Sequence, residues 1–172
     1  MKQLSGTELK RLHRSWRKSE PSRLAVLLEG LGGPFNLGSI LRTAAAYRVE
    51  HLYLAGMQID PTSTNVGKTA LGADRYVPWS THEHFASAAA AARAADFRLV
   101  GLELADQATP MHRARLEPPT CLVIGHEDRG LSKSALVECD DVVFLPQLGR
   151  IGSLNVATAT SIAIYEARRH EW

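Results

Sequence analysis

The chain reads as an α/β domain with a mostly parallel sheet flanked by helices. Apolar runs of strand length alternate with stretches of helical period along its 172 residues. Turn residues punctuate the runs, as in Gly30-Leu-Gly-Gly-Pro34 and Gly149-Arg-Ile-Gly152. The length is that of one domain able to bury its own core.

The elements follow in order. Thr7 to Lys18 is predicted to be a short helix, capped by Thr7 and broken at Pro21-Ser22. Arg23 to Glu29 (Leu-Ala-Val-Leu-Leu at its centre) is a buried strand. The turn from Gly30 to Pro34 leads into a helix from Asn36 to about Tyr47, with Asn36 a good N-cap. Val49 to Ala55 is a second strand, and Asp60 to Asp74 is loop plus a short helix. Arg75 to Trp79 reads as a third strand, and Thr81 as the cap of an Ala-rich helix ending at Ala95. Phe97 to Leu104, Thr120 to Gly125 and Asp141 to Leu145 are strands, with Pro118-Pro119 marking the approach to the second of these. Gly130-Leu-Ser132 is a turn ending in a Ser cap, and the final helix runs from about Leu154 to Arg169. There is no internal repeat.

Composition narrows the classes. Ordinary apolar and moderate charged fractions describe a soluble globular protein. No apolar run reaches membrane-spanning length, and the first residues lack an apolar signal core, so the cytoplasm is expected. Cys121 and Cys139 fit no metal-ligand pattern and read as reduced structural thiols. His82-x-His84 lacks a third ligand, so no metal is expected. The net charge of +2 conceals an asymmetry: residues 1–23 hold seven cations against two acids, which is +5 and leaves −3 for the rest. A basic segment on a mildly acidic body suits a polyanion contact, or else a solvated helix face. The chain divides into a basic helical extension, residues 1–22, and a body, residues 23–172.

Three motifs carry chemistry. Leu145-Pro-Gln147-Leu-Gly-Arg150-Ile151-Gly-Ser153-Leu154-Asn155-Val puts backbone N–H groups and short polar side chains at a strand-to-helix corner, which suits a polar ligand or an ordinary Ser cap. Pro34-Phe-Asn36-Leu-Gly38-Ser-Ile-Leu-Arg42 precedes it, and Gly125-His-Glu127-Asp-Arg-Gly130-Leu lies between. Asn-x-Gly-x-x-x-Arg, Gly-x-Glu-x-x-Gly-Leu and Pro-x-x-Gly-x-x-x-Ser-Leu-Asn-Val, in that order, resemble the motifs of the SpoU/TrmH family of SPOUT-class RNA ribose 2′-O-methyltransferases, over roughly residues 22–170. A dinucleotide-binding reading of Gly30-Leu-Gly32-Gly33 fails, because Phe35 holds the third glycine position and no acidic ribose ligand ends the second strand.

The resemblance implies a deep trefoil knot in the C-terminal part, a homodimer with sites near the subunit interface, and S-adenosylmethionine as cofactor. Asn36, Arg42, Glu127, Ser153 and Asn155 are then the catalytic candidates. Arg42 is expected to hold a substrate phosphate through its planar fork, with Gly38 leaving room beneath it. It is not a general base, since guanidinium stays protonated. Glu127 is expected to orient Asn36 or Arg42, or to sit near the cofactor's positive charge. Leu102, Gly125, Leu145, Gln147, Ile151 and Leu154 are the cofactor-binding candidates, with Glu103 beside Leu102, and Gly125 is expected to let a cofactor pack against backbone. RNA contact is assigned to Arg11, Arg14, Arg17, Lys18, Arg42 and Arg150. Transfer RNA is the favoured substrate. A ribosomal RNA target, including one that confers antibiotic resistance, and a non-catalytic RNA-binding dimer module are the alternatives.

Overall fold

A computed structural model describes residues 1–18 and 20–171, the side chain of His170 excepted. The elements are α1 (Gly6–Trp16), β1 (Leu24–Glu29), α2 (Pro34–Ala46), β2 (Leu52–Ala55), α3 (Thr64–Ala70), β3 (Trp79–His82), α4 (Phe85–Ala94), β4 (Arg98–Leu102), β5 (Thr109–Pro110), β6 (Thr120–Ile124), α5 (Lys133–Glu138), β7 (Asp141–Phe144) and α6 (Val156–Arg168). Short 3-10 turns cover Ala73–Tyr76, Met111–Arg113 and Arg169–Glu171.

The strands form one seven-stranded sheet in the order β3-β2-β1-β6-β4-β7-β5, and every pairing is parallel. The predicted α/β architecture is therefore present, with the antiparallel component absent from this sheet. Both faces of β1 and β6 are buried, which is why each reads as a continuous apolar run. Val26, Leu28, Leu122 and Ile124 pack with α2 and α6 residues such as Ile40 and Ile164. Ala25, Leu27, Cys121 and Val123 pack with the alanines of α4 and with Ala135 of α5. Cys121 and Cys139 are free thiols, and burial pushes the Cys139 thiol up to about 12.

Several expected boundaries move for physical reasons. The first helix is capped by Ser5, not Thr7: Ser5 and Glu8 form a reciprocal capping box. The second helix starts before Asn36, with Gly33 at the N-cap and Pro34 in the first turn, where its fixed φ and missing N–H cost nothing. Arg75-Tyr76 lies in a 3-10 turn, and the third strand is instead Trp79–His82. That strand pairs on one side alone, at the sheet edge, so its polar residues are tolerated. Thr81 therefore lies in the strand and His84 precedes α4 without a side-chain cap. Asn155, not Ser153, caps α6. Ser132 caps α5 as expected, its hydroxyl accepting from the Ala135 N–H. The two-residue β5 was absent from the sequence expectations.

The ends of the body are tied together. The Arg168 side chain is 2% exposed. It donates to the carbonyls of Tyr47, Arg48 and Ser22 and pairs with Glu171. Glu171 also accepts from the Ser22 N–H at 3.1 Å.

Candidate active site

The site assembles where β1, β6 and β7 deliver their carboxyl ends. In an open parallel sheet, ligands collect at such ends, near the point where the chain's winding reverses. Here β6 and β4 lie to one side of β1 while β2 lies to the other, so the reversal falls at β1.

Glu127 follows β6 and faces the first turn of α2. Its carboxylate accepts from the Gly32 N–H at 3.1 Å and the Gly33 N–H at 2.9 Å. It also accepts from Asn36 Nδ2 at 3.1 Å. A carboxylate in this position satisfies N–H groups at a helix start and meets the positive end of its dipole. Asn36 Oδ1 in turn accepts from Asn155 Nδ2 at 3.0 Å. Asn155 Oδ1 accepts from the N–H groups of Ala157 and Thr158 and so starts α6. A single hydrogen-bonded chain thus joins Glu127, Asn36 and Asn155, one residue from each motif. Glu127 orients Asn36; among the described residues no bond joins it to Arg42. Burial pushes the Glu127 carboxyl up, but the hydrogen bonds from Gly32, Asn36 and Gly33 outweigh it and hold the group below the usual Glu value.

Beside this chain lies an open cleft of about 330 Å³, within the size range of ligand sites. Leu102, Gly125, Leu145, Gln147, Ser153 and Leu154 line it, as do Glu103 and Glu127. Ile151 does not: it is 66% exposed and outside the cleft wall. Arg42 and Arg150 are exposed and also lie outside the wall. Arg11, Arg14, Arg17 and Lys18 are exposed at or just beyond α1, a helix with no buried residue.

Two motif glycines are held by close packing, and at Gly38 this differs from the role expected. Gly38 is buried and faces α3. A Cβ there would sit 2.0 Å from Thr69 Oγ1 and 2.4 Å from the Val66 carbonyl. It permits close approach of two helices, and the space beneath Arg42 is not its role. A Cβ on Gly125 would sit 2.1 Å from the Gly130 carbonyl carbon. Its missing side chain admits the returning loop 126–131, and its backbone also lines the cleft. Glu103 braces that loop by accepting from the Leu131 N–H at 2.8 Å. His126 Nδ1 accepts from the Asp128 N–H at 3.0 Å, and the His126 backbone forms a bridge with Gly130. Asp128 and Arg129 also line the cleft. Sequence reasoning passed over them because a polar turn after a strand carries no signal of which side faces a cavity.

Fold and site together define a doubly wound α/β domain with a ligand-sized cleft at the carboxyl ends of β4, β6 and β7. The chain belongs to the SpoU rRNA methylase family, whose model matches residues 23–165. It is 36% identical to an uncharacterized tRNA/rRNA methyltransferase of Synechocystis over 91% of this chain and 57% of the relative. It is 29% identical to the tRNA (guanosine(18)-2′-O)-methyltransferase of Escherichia coli, over 85% of this chain and 63% of that protein. The chain thus spans roughly three-fifths of the length of these curated relatives. Among solved structures, the AdoMet-bound rRNA methyltransferase of Sinorhizobium meliloti superposes with a TM-score of 0.82 at 30% identity, covering 90% of this chain and 59% of that one. A structure described for the 2-OH methylation of C/U34 on tRNA superposes at 0.78 with 29% identity, covering 87% of this chain and 97% of that one.

Proposed function

We propose that this chain transfers a methyl group from S-adenosylmethionine to a ribose 2′-hydroxyl of RNA. The observation that carries the reading is the Glu127–Asn36–Asn155 chain of hydrogen bonds at the rim of the cleft. It ties the helix bearing Arg42 to the loop that lines the cleft. The AdoMet-bound relatives support the choice of cofactor. So does the wall itself: Leu102, Leu145 and Leu154 offer apolar surface to a nucleoside.

When bound, S-adenosylmethionine supplies a methyl group already activated as a sulfonium. What remains for the chain is positioning, which for a weak nucleophile such as a ribose hydroxyl is most of the acceleration. Asn155, held from both sides, and the exposed Ser153 hydroxyl present polar groups where the ribose is to lie. Arg42 projects into solvent from α2, without an ion pair among the described residues, and its fork is suited to the substrate phosphate. Arg150 and the cations of the N-terminal extension add phosphate contacts.

Transfer RNA is the favoured substrate. The Escherichia coli relative acts on guanosine 18 of tRNA, and the match that covers nearly all of its partner concerns tRNA position 34. We further assign the chain to the cytoplasm, with a trefoil knot formed by its C-terminal part and a homodimer formed through α6, where Ile162 and Tyr165 present apolar surface. Among the described residues no helix is long and apolar enough to cross a membrane. The decisive experiment incubates the protein with methyl-labelled S-adenosylmethionine and unmodified tRNA or rRNA, then maps ribose methylation. Label on a tRNA 2′-oxygen is expected. Label on rRNA alone moves the assignment to the ribosome, and label on neither overturns the enzyme reading.

A further inference from the structure

We propose that the outer face of α2 and the turn that follows α3 form a platform on which unpaired RNA bases stack. The inference deepens the methyltransferase reading and rests on it for the contact of Arg42 with RNA. Phe35 and Arg42 are both exposed on α2. Seven residues apart, they share one helix face at a spacing of about 10 Å. The end of α3 lies against that helix: the Thr69 hydroxyl donates to the Phe35 carbonyl at 3.0 Å. Two residues later α3 ends in Leu71, at φ 50° and ψ 39°, a conformation rare for a bulky residue. Gly72 follows at φ 79°. The turn leaves Leu71 66% and Tyr76 75% exposed, whereas Ala73 and Val77 are buried. Arg75 folds back onto the turn, its Nε donating to the Gly72 carbonyl at 3.4 Å.

Charge selects the occupant. Residues 34–46 and 64–76 together hold three cations, Arg42, Lys68 and Arg75, against one acid, Asp74. Lys68 bonds to the neutral side chain of Asn65 and Arg75 to a carbonyl, so these bonds leave both charges unneutralised. Exposed rings interleaved with cations suit a nucleic-acid strand: the cations meet phosphates and the rings meet base faces. A second copy of the chain suits this surface less well. A two-fold contact would set the same cations against one another, and lysine is depleted at the centre of protein interfaces. Duplex RNA offers its phosphates but keeps its base faces stacked inside. Only unpaired nucleotides use both the cations and the rings of Phe35 and Tyr76.

Fluorescence anisotropy with a fluorescein-labelled single-stranded RNA, and with the same strand annealed into a blunt duplex, tests this without turnover. Wild-type protein is expected to bind the single strand about tenfold more tightly than the duplex. Phe35→Ala and Tyr76→Ala are each expected to lose about tenfold on the single strand and to stay within about twofold on the duplex. Tyr76→Trp is expected to keep the wild-type affinity, because any aromatic ring can stack. Wild-type protein that shows no preference for the single strand, or binds neither RNA, overturns the proposal. Unchanged single-strand affinity in both alanine variants overturns it as well. If those variants instead alter the sedimentation of the protein alone and leave RNA affinity intact, the face joins copies of the chain and the proposal falls. Wild-type single-strand binding that follows these expectations without any methyl transfer overturns the enzyme reading alone.

Discussion

At the scale of residues, Glu127 does its work as an anion. Two backbone donors and one amide converge on it. Replacing it with Ala leaves those donors unpaired at the start of α2, and a loss of about 2 kcal/mol is expected in urea titrations at neutral pH. The pH dependence has a definite sign. Its folded carboxyl is held below the ordinary value of 4.5, so its stabilisation is complete above that value and fades as pH falls through the lower folded one. The gap between wild type and Glu127→Ala should therefore narrow in strong acid; a gap that stays constant from pH 7 to pH 2 contradicts the assignment. Arg42 gives the complementary case. It is exposed and outside the cleft wall, so Arg42→Ala and Arg42→Lys should each cut RNA methylation by about tenfold or more. Calorimetric affinity for S-adenosylhomocysteine should hold in both. A fully active Lys variant would show that a point charge suffices.

At the scale of elements, the seam between α2 and α3 is closely packed at Gly38. Gly38→Ala drives a methyl into Thr69 and into the Val66 carbonyl, which is backbone and cannot swing aside. Overpacking of this kind costs about 1–3 kcal/mol, to be read as a lower midpoint in thermal or urea unfolding. An unchanged midpoint would mean that α3 floats on α2. This seam also shows what local sequence does and does not convey. The identity of Gly38 was conspicuous in its motif, but its partner Thr69 is far along the chain and no local pattern points to it. Asn36 looked like a cap because it is a good one. The helix began earlier because Pro34 supplies an even better first turn, which freed the amide to bridge Glu127 and Asn155. Buried strands such as β1 and β6 were legible as apolar runs. The edge strand β3 was displaced by a few residues, since a strand paired on one side need not be apolar, and β5 is too short to leave a pattern.

At the scale of the whole molecule, charge separates along the chain, with +5 in the first 23 residues and −3 in the remainder. Neutralising Arg11, Arg14, Arg17 and Lys18 together should raise KM for RNA and flatten the salt dependence of RNA binding, by about 0.7–0.9 in log–log slope for each phosphate that is no longer neutralised. A quadruple variant with the wild-type slope would assign RNA contact to the body around Arg42 and Arg150. The strand order itself was beyond local reading, because placing β6 between β1 and β4 is decided by packing over long separations. Among the described residues one very long separation is the clasp of Arg168 and Glu171 on Ser22, in which Ser22 and Glu171 lie 149 residues apart. Contacts that close so long a loop bear the largest entropic penalty and are expected to form after the transition state for folding. Arg168→Met should therefore leave the refolding rate nearly unchanged and speed unfolding. The clasp then acts as a latch on the lifetime of the native state, a kinetic guard set at the meeting point of the two ends of the body.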